Sequence, residues 1–427
     1  MVDVIKLYAD GKYNELIKLA ETQAIDPALL LNSLVKSNQL NKAVWHFIGL
    51  MQNMAYAEDQ NTFEGLLSII KSERLMHLGI QNLRMFGLGV FDKFYNQDFK
   101  DDLRDNFKSC LVFPIIWPIA YGDMIVIHQF IKYYKLKHNK KVLLIMPLNR
   151  PELRQLSEMN SSITKVIDIT LMKEQEKQRQ ETLGLLNNGV LNVILQEAMI
   201  QEILKILVNP TIIKLRYLPI LNGFDCIAGK RIWEERARMF LEDKKELPKL
   251  LKPTAQKKKQ IAVHFRMGGY NDEKSRDVNI NFAQDLIYAL SDLGYEIVRL
   301  GDEGMEELDG CRNASHEKLS IKQQAKIIQE SKLFIGTHSA PQHLAVACSD
   351  TPIICFNYVY QETAKINTDI ARMSYEPVGK QVKKILYTKI KNESGDEVLP
   401  LHNSPENYSY EHTSISEIVD EAKKVLK

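Results

Sequence analysis

Hydrophobic and polar positions divide the chain into two kinds of sequence. Up to about residue 105, apolar residues recur three and four positions apart, as at Leu16 and Ala20, and a turn signal falls at Asp26-Pro27. This spacing is typical of amphipathic helices, and proline commonly separates such elements. We therefore predict an all-helical region over residues 1–105.

From about residue 108 the pattern changes to short, continuous apolar runs that alternate with amphipathic segments. The predicted strands cover 110–114, 141–146, 165–169, 193–195, 217–220, 260–265, 295–300, 333–335 and 352–356. The predicted helices cover 125–136, 228–250, 281–293, 320–331, 341–348 and 414–426. Fully apolar strands after helices are typical of a parallel sheet covered on both faces. The sequence thus predicts an α/β fold with two Rossmann-like domains, 106–250 and 251–427, which face a ligand-binding cleft.

Composition narrows the class of protein. The chain has 427 residues, 45% hydrophobic and 26% charged, which is typical of a globular protein with more than one domain. A net charge of +2 argues against nucleic-acid binding, and five scattered cysteines without a Cys-x-x-Cys pair indicate neither a disulfide framework nor a zinc knuckle. The N-terminus lacks the pattern of a signal peptide, and the apolar stretch 111–127 is broken by prolines. We expect a cytoplasmic protein whose membrane contact, if any, is peripheral.

The strongest chemical signal lies at 333–356, where an apolar strand runs into a tight turn and a helix that opens with Pro341. The backbone amides expected to face the cleft there are those of Ser339, Ala340, Gln342 and His343. Such amides, together with the helix dipole, attract anions, and a diphosphate suits the site. An ordinary helix with Ser339 as its N-cap is the alternative.

A second signal follows the strand that begins at residue 260. His264-Phe265-Arg266 ends that strand, and Lys274 and Arg276 lie in the loop beyond a Gly-Gly pair. Arginine suits a phosphate because its planar fork can donate two hydrogen bonds and keeps its charge. We expect Arg266, Lys274 and Arg276 to bind the donor. A surface arginine and a merely polar loop are the alternatives.

These segments carry a family resemblance. The run His338-Ser339-Ala340-Pro341-Gln342-His343-Leu344-Ala345 resembles the C-terminal signature of the heptosyltransferases, which are metal-independent glycosyltransferases with the two-domain GT-B fold. The family usually has aspartate where His338 stands and glycine where Ala340 stands. His264-Phe265-Arg266 resembles the strand end of fucosyltransferase-like GT-B enzymes, and the run from His264 to Asp302 is similar to a bacterial family assigned to the glycosyltransferases. By resemblance, His338 joins the donor site.

The same family carries a Gly-Asp pair at the first strand-to-helix turn of its N-terminal domain, as Gly122-Asp123 does here. The resemblance implies that Asp123 is the general base that deprotonates the acceptor hydroxyl. A helix-capping role for Asp123 is the alternative, and His128 is a second candidate base. No Asp-x-Asp motif occurs in the chain, so we expect no metal and no cofactor.

Taken together, the sequence predicts an inverting enzyme that moves a sugar from a nucleotide-diphosphate donor to a saccharide, glycolipid or protein acceptor. The alternatives are a fucosyltransferase-like or epimerase GT-B enzyme and a non-enzymatic scaffold that binds sugar nucleotides. The segment 7–27 resembles a degenerate tetratricopeptide hairpin. It predicts either a helical extension packed on the catalytic domains or a surface that docks a protein partner.

Overall fold

The computed structural model describes a defined part of the chain. The described residues are 4–23, 25–39, 42–43, 46, 95–115, 121–148, 150–170, 196, 199–213, 248–254, 256–267, 276–358, 379–397 and 409–427. Lys274, the predicted strands 193–195 and 217–220, and most of the predicted helix 228–250 lie outside these residues.

The described part of the N-terminal region is helical, as predicted. Its helices are α1 (Val4–Ala9), α2 (Tyr13–Leu19), α3 (Pro27–Lys36) and α4 (Gln97–Asn106). Asp26 caps α3 by accepting a hydrogen bond of 2.8 Å from the amide of Leu29. Leu16 and Leu31 are fully buried, so the apolar positions of α2 and α3 form the contact between these helices. The tetratricopeptide resemblance stays a prediction.

The chain divides into two compact units. The first comprises residues 1–117, 143–147 and 167–229, and the second comprises 118–142, 148–166 and 230–427. The predicted three-domain division, with bounds at 105/106 and 250/251, and the cleft between the α/β domains both stay predictions.

A four-stranded sheet lies mainly in the first unit. In chain order its strands are β1 (Leu111–Pro114), β2 (Val142–Met146), β3 (Lys165–Asp168) and β4 (Thr211–Ile212). Their order in the sheet is β3-β2-β1-β4, and β1 pairs with β4 in parallel. Every residue of β1 and β2 is buried, which is why these strands read as continuous apolar runs rather than alternating ones.

The second unit contains a six-stranded sheet in the order β10-β9-β8-β5-β6-β7, and every neighbouring pair is parallel. Its strands are β5 (Gln260–His264), β6 (Glu296–Arg299), β7 (Arg312–Asn313), β8 (Leu333–Thr337), β9 (Ile353–Tyr358) and β10 (Val382–Tyr387). The C-terminal hairpin pairs β11 (Lys389–Lys391) with β12 (Ser409–Glu411).

The helices of the second unit follow the predicted alternation with strands. They are α5 (Tyr121–His138), α6 (Pro151–Met159), α7 (Ile280–Ser291), α8 (Ile321–Glu330), α9 (Ala340–Cys348) and α10 (Ile415–Leu426). One core cluster joins buried side chains of β5 and β8, such as Val263 and Ile335, with Leu286 of α7 and Ile418 of α10. The predicted α/β fold with parallel sheets after a helical N-terminal region is confirmed.

Helices α5 and α9 pack against each other. The segment that precedes β5 lies against both, because Lys132 of α5 donates to the carbonyl of Lys249, and the Lys249 ammonium donates to the carbonyl of Val346 in α9. Residues 124–131 of α5 are all buried, so this helix is covered nearly all round. No helix in the described ranges is both long enough and apolar enough to cross a bilayer.

Candidate functional site

The carboxyl ends of three neighbouring strands bring the predicted residues together. His264 ends β5, Thr337 ends β8 and Tyr358 ends β9, and the register places His264 beside Gly336. Ligands of open parallel sheets bind outside these carboxyl ends. Arg266, which follows β5, and Ser339, which follows β8, therefore lie at one edge of the sheet.

The start of α9 offers fewer open amides than the sequence predicts. The amides of Gln342 and His343 both donate to the carbonyl of Ser339, at 3.2 and 3.4 Å, so they are engaged within the helix, and donor binding by these two residues stays a prediction. Pro341 has no amide hydrogen. Across the described residues, the amides of Ser339 and Ala340 have no hydrogen-bond acceptor. Two amides, rather than four, remain for an anion.

Ser339 occupies the N-cap position of α9 but does not cap the helix with its side chain. Its hydroxyl donates to the carbonyl of Thr337 at 3.1 Å and lies 3.0 Å from Nδ1 of His264. Ser339 thus has the position of an ordinary capping serine, but its side chain does not make the capping hydrogen bond. The hydroxyl ties the turn to the end of β5.

His264 is held in its neutral form. The side chain is buried, and burial lowers its pKa from 6.5 to about 3, with further lowering from the guanidinium groups of Arg299 and Arg266. A neutral imidazole donates from one nitrogen only. Since the single hydrogen of the Ser339 hydroxyl goes to Thr337, Nδ1 of His264 is the donor in the contact with Ser339.

Arg266 is not a surface arginine. Its Nη1 lies 2.7 Å from Oδ1 of Asp277, and both side chains are mostly buried, at 13% and 16% exposure. The backbone amide of Arg266 donates to the hydroxyl of Thr337 at 3.0 Å. The backbone of Arg266 is therefore anchored to the end of β8, and its guanidinium is held by Asp277.

His338 contacts a cation and an aromatic ring. Nη1 of Arg276 lies 3.3 Å from Nδ1 of His338, and because a guanidinium only donates, Nδ1 is the acceptor. The His338 ring stacks on Tyr358 with 4.3 Å between centroids, and it forms an edge-to-face pair with the His343 ring with 5.8 Å between centroids. Arg276 thus belongs to the site, whereas the position of Lys274 lies outside the described residues.

The first turn of α5 meets the first turn of α9. A Cβ added at Gly122 would lie 2.8 Å from Cδ2 of His343 and 3.5 Å from Cα of Ala340. Asp123, the next residue, is half-buried and is the third residue of α5, inside the first turn rather than at the preceding cap position. The glycine allows the first turn of α5, which also carries Asp123, to pack closely against the start of α9.

His128 cannot serve as the base in the position where it lies. It is fully buried, and burial lowers its pKa to about 3. The amide of Asn160 lies 3.2 Å from Nδ1 and 3.0 Å from the carbonyl of His128, which fixes the ring between α5 and the end of α6. The alternative assignment of the base to His128 is therefore wrong.

The sequence analysis did not predict two further features of this region, which are the polar side-chain groups of Tyr121 and Gln342. Within the part of the chain that the structure describes, the Tyr121 hydroxyl and both polar atoms of the Gln342 side chain are buried without a hydrogen-bond partner. Burial raises the pKa of Tyr121, with smaller contributions from Cys348, Glu152 and Asp302. The position of Tyr121 directly before Gly122-Asp123 is the signal that could have identified it. Nothing local in the sequence indicates the burial of Gln342.

In the described ranges, no group of three or more His, Cys, Asp or Glu side chains is arranged to hold a metal ion. Metal independence stays a prediction.

Comparisons with known proteins complete the description. No protein-family model matches the sequence, and no curated protein matches it either. A solved glycosyl transferase family 9 protein from Veillonella parvula is similar, with 14% identity, a TM-score of 0.41, and coverage of 75% of this chain and 97% of that one.

Two E. coli structures are also similar to this chain. ADP-heptose lps heptosyltransferase II has 13% identity and a TM-score of 0.40, with coverage of 74% and 98%. The heptosyltransferase WaaC, solved with ADP-2-deoxy-2-fluoro heptose, has 12% identity and a TM-score of 0.37, with coverage of 74% and 99%. All three TM-scores lie below 0.5, so the proposed function rests on the geometry of the site.

Proposed function

We propose that this protein is a GT-B glycosyltransferase that transfers a sugar from a nucleotide-diphosphate donor to an acceptor hydroxyl. The observation that carries the proposal is the open start of α9 at the carboxyl edge of an all-parallel sheet. There the amides of Ser339 and Ala340 lack an acceptor among the described residues, and Arg266 is anchored beside them. Open amides, the helix dipole and a guanidinium are the groups that stabilise a diphosphate.

The reaction is a direct displacement at the anomeric carbon. The acceptor oxygen forms the new glycosidic bond while the bond from that carbon to the diphosphate oxygen breaks, and the electron pair leaves with the diphosphate. Asp123 accepts the proton of the acceptor hydroxyl. A single displacement of this kind inverts the anomeric configuration.

The leaving group is stabilised by protein groups rather than by a metal. The open amides, Arg266 and the Arg276–His338 pair place positive charge and hydrogen-bond donors where negative charge develops. The acceptor is a saccharide, a glycolipid or a protein. Each of these carries a hydroxyl that can attack the anomeric carbon.

The experiment is a thermal-shift screen with ADP, UDP and GDP, followed by assays of the corresponding sugar nucleotides for release of the nucleotide. A ligand at a hundred times its dissociation constant stabilises the folded protein by about 2.7 kcal/mol, which such a screen detects. Binding of a nucleoside diphosphate with slow release from its sugar nucleotide supports a transferase. Interconversion of the donor sugar would identify an epimerase, binding without turnover would identify a scaffold, and no binding at all would refute the proposal.

A further inference from the structure

Two helices of the second unit begin with a closed capping box, in which two residues three positions apart bond to each other's backbone amides. At the start of α8, the hydroxyl of Ser320 accepts from the amide of Gln323, and the Gln323 side chain accepts from the amide of Ser320 at 2.8 Å. The start of α10 has the same arrangement. Ser339 and Gln342 have the same residue types and spacing at the start of α9, yet neither half of a box is formed there.

The open box leaves polar groups of both residues unpaired. Within the described residues, the backbone amide of Ser339 has no acceptor, and neither the carbonyl oxygen nor the amide nitrogen of the Gln342 side chain has a partner. Gln342 is fully buried, at 0% exposure. A buried carboxamide without hydrogen bonds costs free energy, and buried polar side chains in folded proteins are nearly always paired. A group from outside the chain is therefore the expected partner of Gln342.

The chemistry of the carboxamide limits what that group can be. Its nitrogen only donates and its oxygen only accepts, so both atoms are satisfied only by a partner that can accept and donate. The oxygens of an ionised diphosphate accept and have no hydrogen to give. A diphosphate would therefore leave the carbonyl oxygen of Gln342 unpaired, whereas hydroxyl groups can satisfy both atoms.

We propose that Gln342 binds hydroxyl groups of the transferred sugar and is a specificity-determining residue for the donor. The inference rests on the proposed function, in which the diphosphate lies at the open amides of Ser339 and Ala340. Gln342 belongs to the same helical turn, and the sugar is bonded directly to the diphosphate, so the sugar and this turn are neighbours. A sugar without the matching hydroxyls is disfavoured, because the buried carboxamide then stays unpaired.

The first arm of the test measures the thermal stability of the protein without any ligand. Gln342→Met replaces the carboxamide by an apolar group of similar length, and it is expected to raise the unfolding midpoint by about 2–4 °C because an unpaired buried group is removed. Gln329→Met is the matched control. Gln329 is also buried, at 7% exposure, but its amide donates to the carbonyls of Lys252 and Cys348. Its replacement is expected to lower the midpoint.

The second arm measures binding by isothermal titration calorimetry with ADP, UDP and GDP and with ADP-glucose, UDP-glucose and GDP-mannose. Gln342→Met is expected to keep the wild-type affinity for the diphosphate. Its affinity for the matching sugar nucleotide is expected to fall by about tenfold, the equivalent of two ordinary hydrogen bonds. Gln342→Leu, a second apolar replacement, is expected to give the same result, and Gln329→Met is expected to leave both affinities unchanged.

The outcomes separate the sugar contact from the proposed function. An unfolding midpoint that does not rise in Gln342→Met would show that the side chain has a partner in the free protein, such as a closed capping box or a buried water, and would overturn the sugar contact. Equal losses of affinity for the diphosphate and its sugar nucleotide, or no loss of either, would overturn it as well. If the wild type binds none of the six nucleotides, the proposed function fails, and the sugar contact fails with it.

Discussion

Gly122 lies so close to the His343 imidazole that a methyl group added at Gly122 would come within 2.8 Å of Cδ2 of that ring. The contact joins the first turns of α5 and α9, the two helix starts that carry Asp123 and the open amides. His343 is buried, at 6% exposure, so the ring has little room to withdraw. Close packing at this point therefore couples stability to the geometry of the site.

Gly122→Ala tests this contact. Alanine favours a helix by about 1 kcal/mol over glycine, but overpacking costs about 1–3 kcal/mol, so we expect a net loss of unfolding free energy of up to about 2 kcal/mol. Chemical denaturation measures this, and pyrophosphate titration measures the accompanying loss of affinity. Gly304→Ala is the control, because a Cβ there meets nothing within 4 Å. A stabilised Gly122→Ala variant would contradict the packing.

Stability is expected to fall as the pH drops below about 6.5. Burial lowers the pKa of His128 and of His264 from 6.5 to about 3 in the folded protein. Between these values the unfolded chain binds protons that the folded chain does not, so acid favours unfolding, and the stabilisation is fully present only above 6.5. In that interval, each histidine is expected to lower the free energy of unfolding by about 1.4 kcal/mol for every unit by which the pH falls.

The measurement for this prediction is the denaturation midpoint between pH 5 and 8. The denaturation midpoint of His128→Gln is expected to depend less steeply on pH than that of the wild type. The reason is that one of the two histidines that bind a proton only in the unfolded chain is removed. His138→Gln, at an exposed position of α5, is the matched control. A midpoint that does not vary between pH 5 and 7 would show that neither histidine is buried in the neutral form.

Arg266→Ala is expected to weaken binding of a nucleoside diphosphate by about tenfold to a hundredfold, the range for a hydrogen bond to a charged group. The loss should shrink as ionic strength rises, because part of it is electrostatic. Arg312→Ala removes an arginine from an exposed pair with Glu317, at 43% and 36% exposure, and is expected to leave affinity intact. Equal effects of both substitutions would exclude a specific role for Arg266.

Asp123→Asn is expected to lower the rate of sugar transfer by about a hundredfold to ten-thousandfold while the affinity for the donor stays the same. Asparagine keeps the shape of the side chain and cannot accept the acceptor proton. Asp285→Asn, on the exposed face of α7, is the matched control. Transfer at the wild-type rate in Asp123→Asn would show that another group is the base.

Local pattern was enough to predict much of this fold. Strands β5, β8 and β9 are buried at every residue and each contains a continuous apolar run, and the alternation with helices indicates a parallel sheet. The same alternation places His264 and Ser339 after strand ends, where parallel sheets bind ligands. Their presence at one edge could therefore be predicted without coordinates.

What the sequence by itself determined is the order of elements and the segments that carry the chemistry, because helix and strand periods are properties of neighbouring residues. Tertiary structure decided the bonding within the site. His264 and Ser339 are 75 positions apart, and only their contact shows that the serine does not cap α9. Likewise, burial of His128 against Asn160 excludes it as a base. Hydrogen bonds and burial depend on residues that are distant along the chain, so no local pattern encodes them.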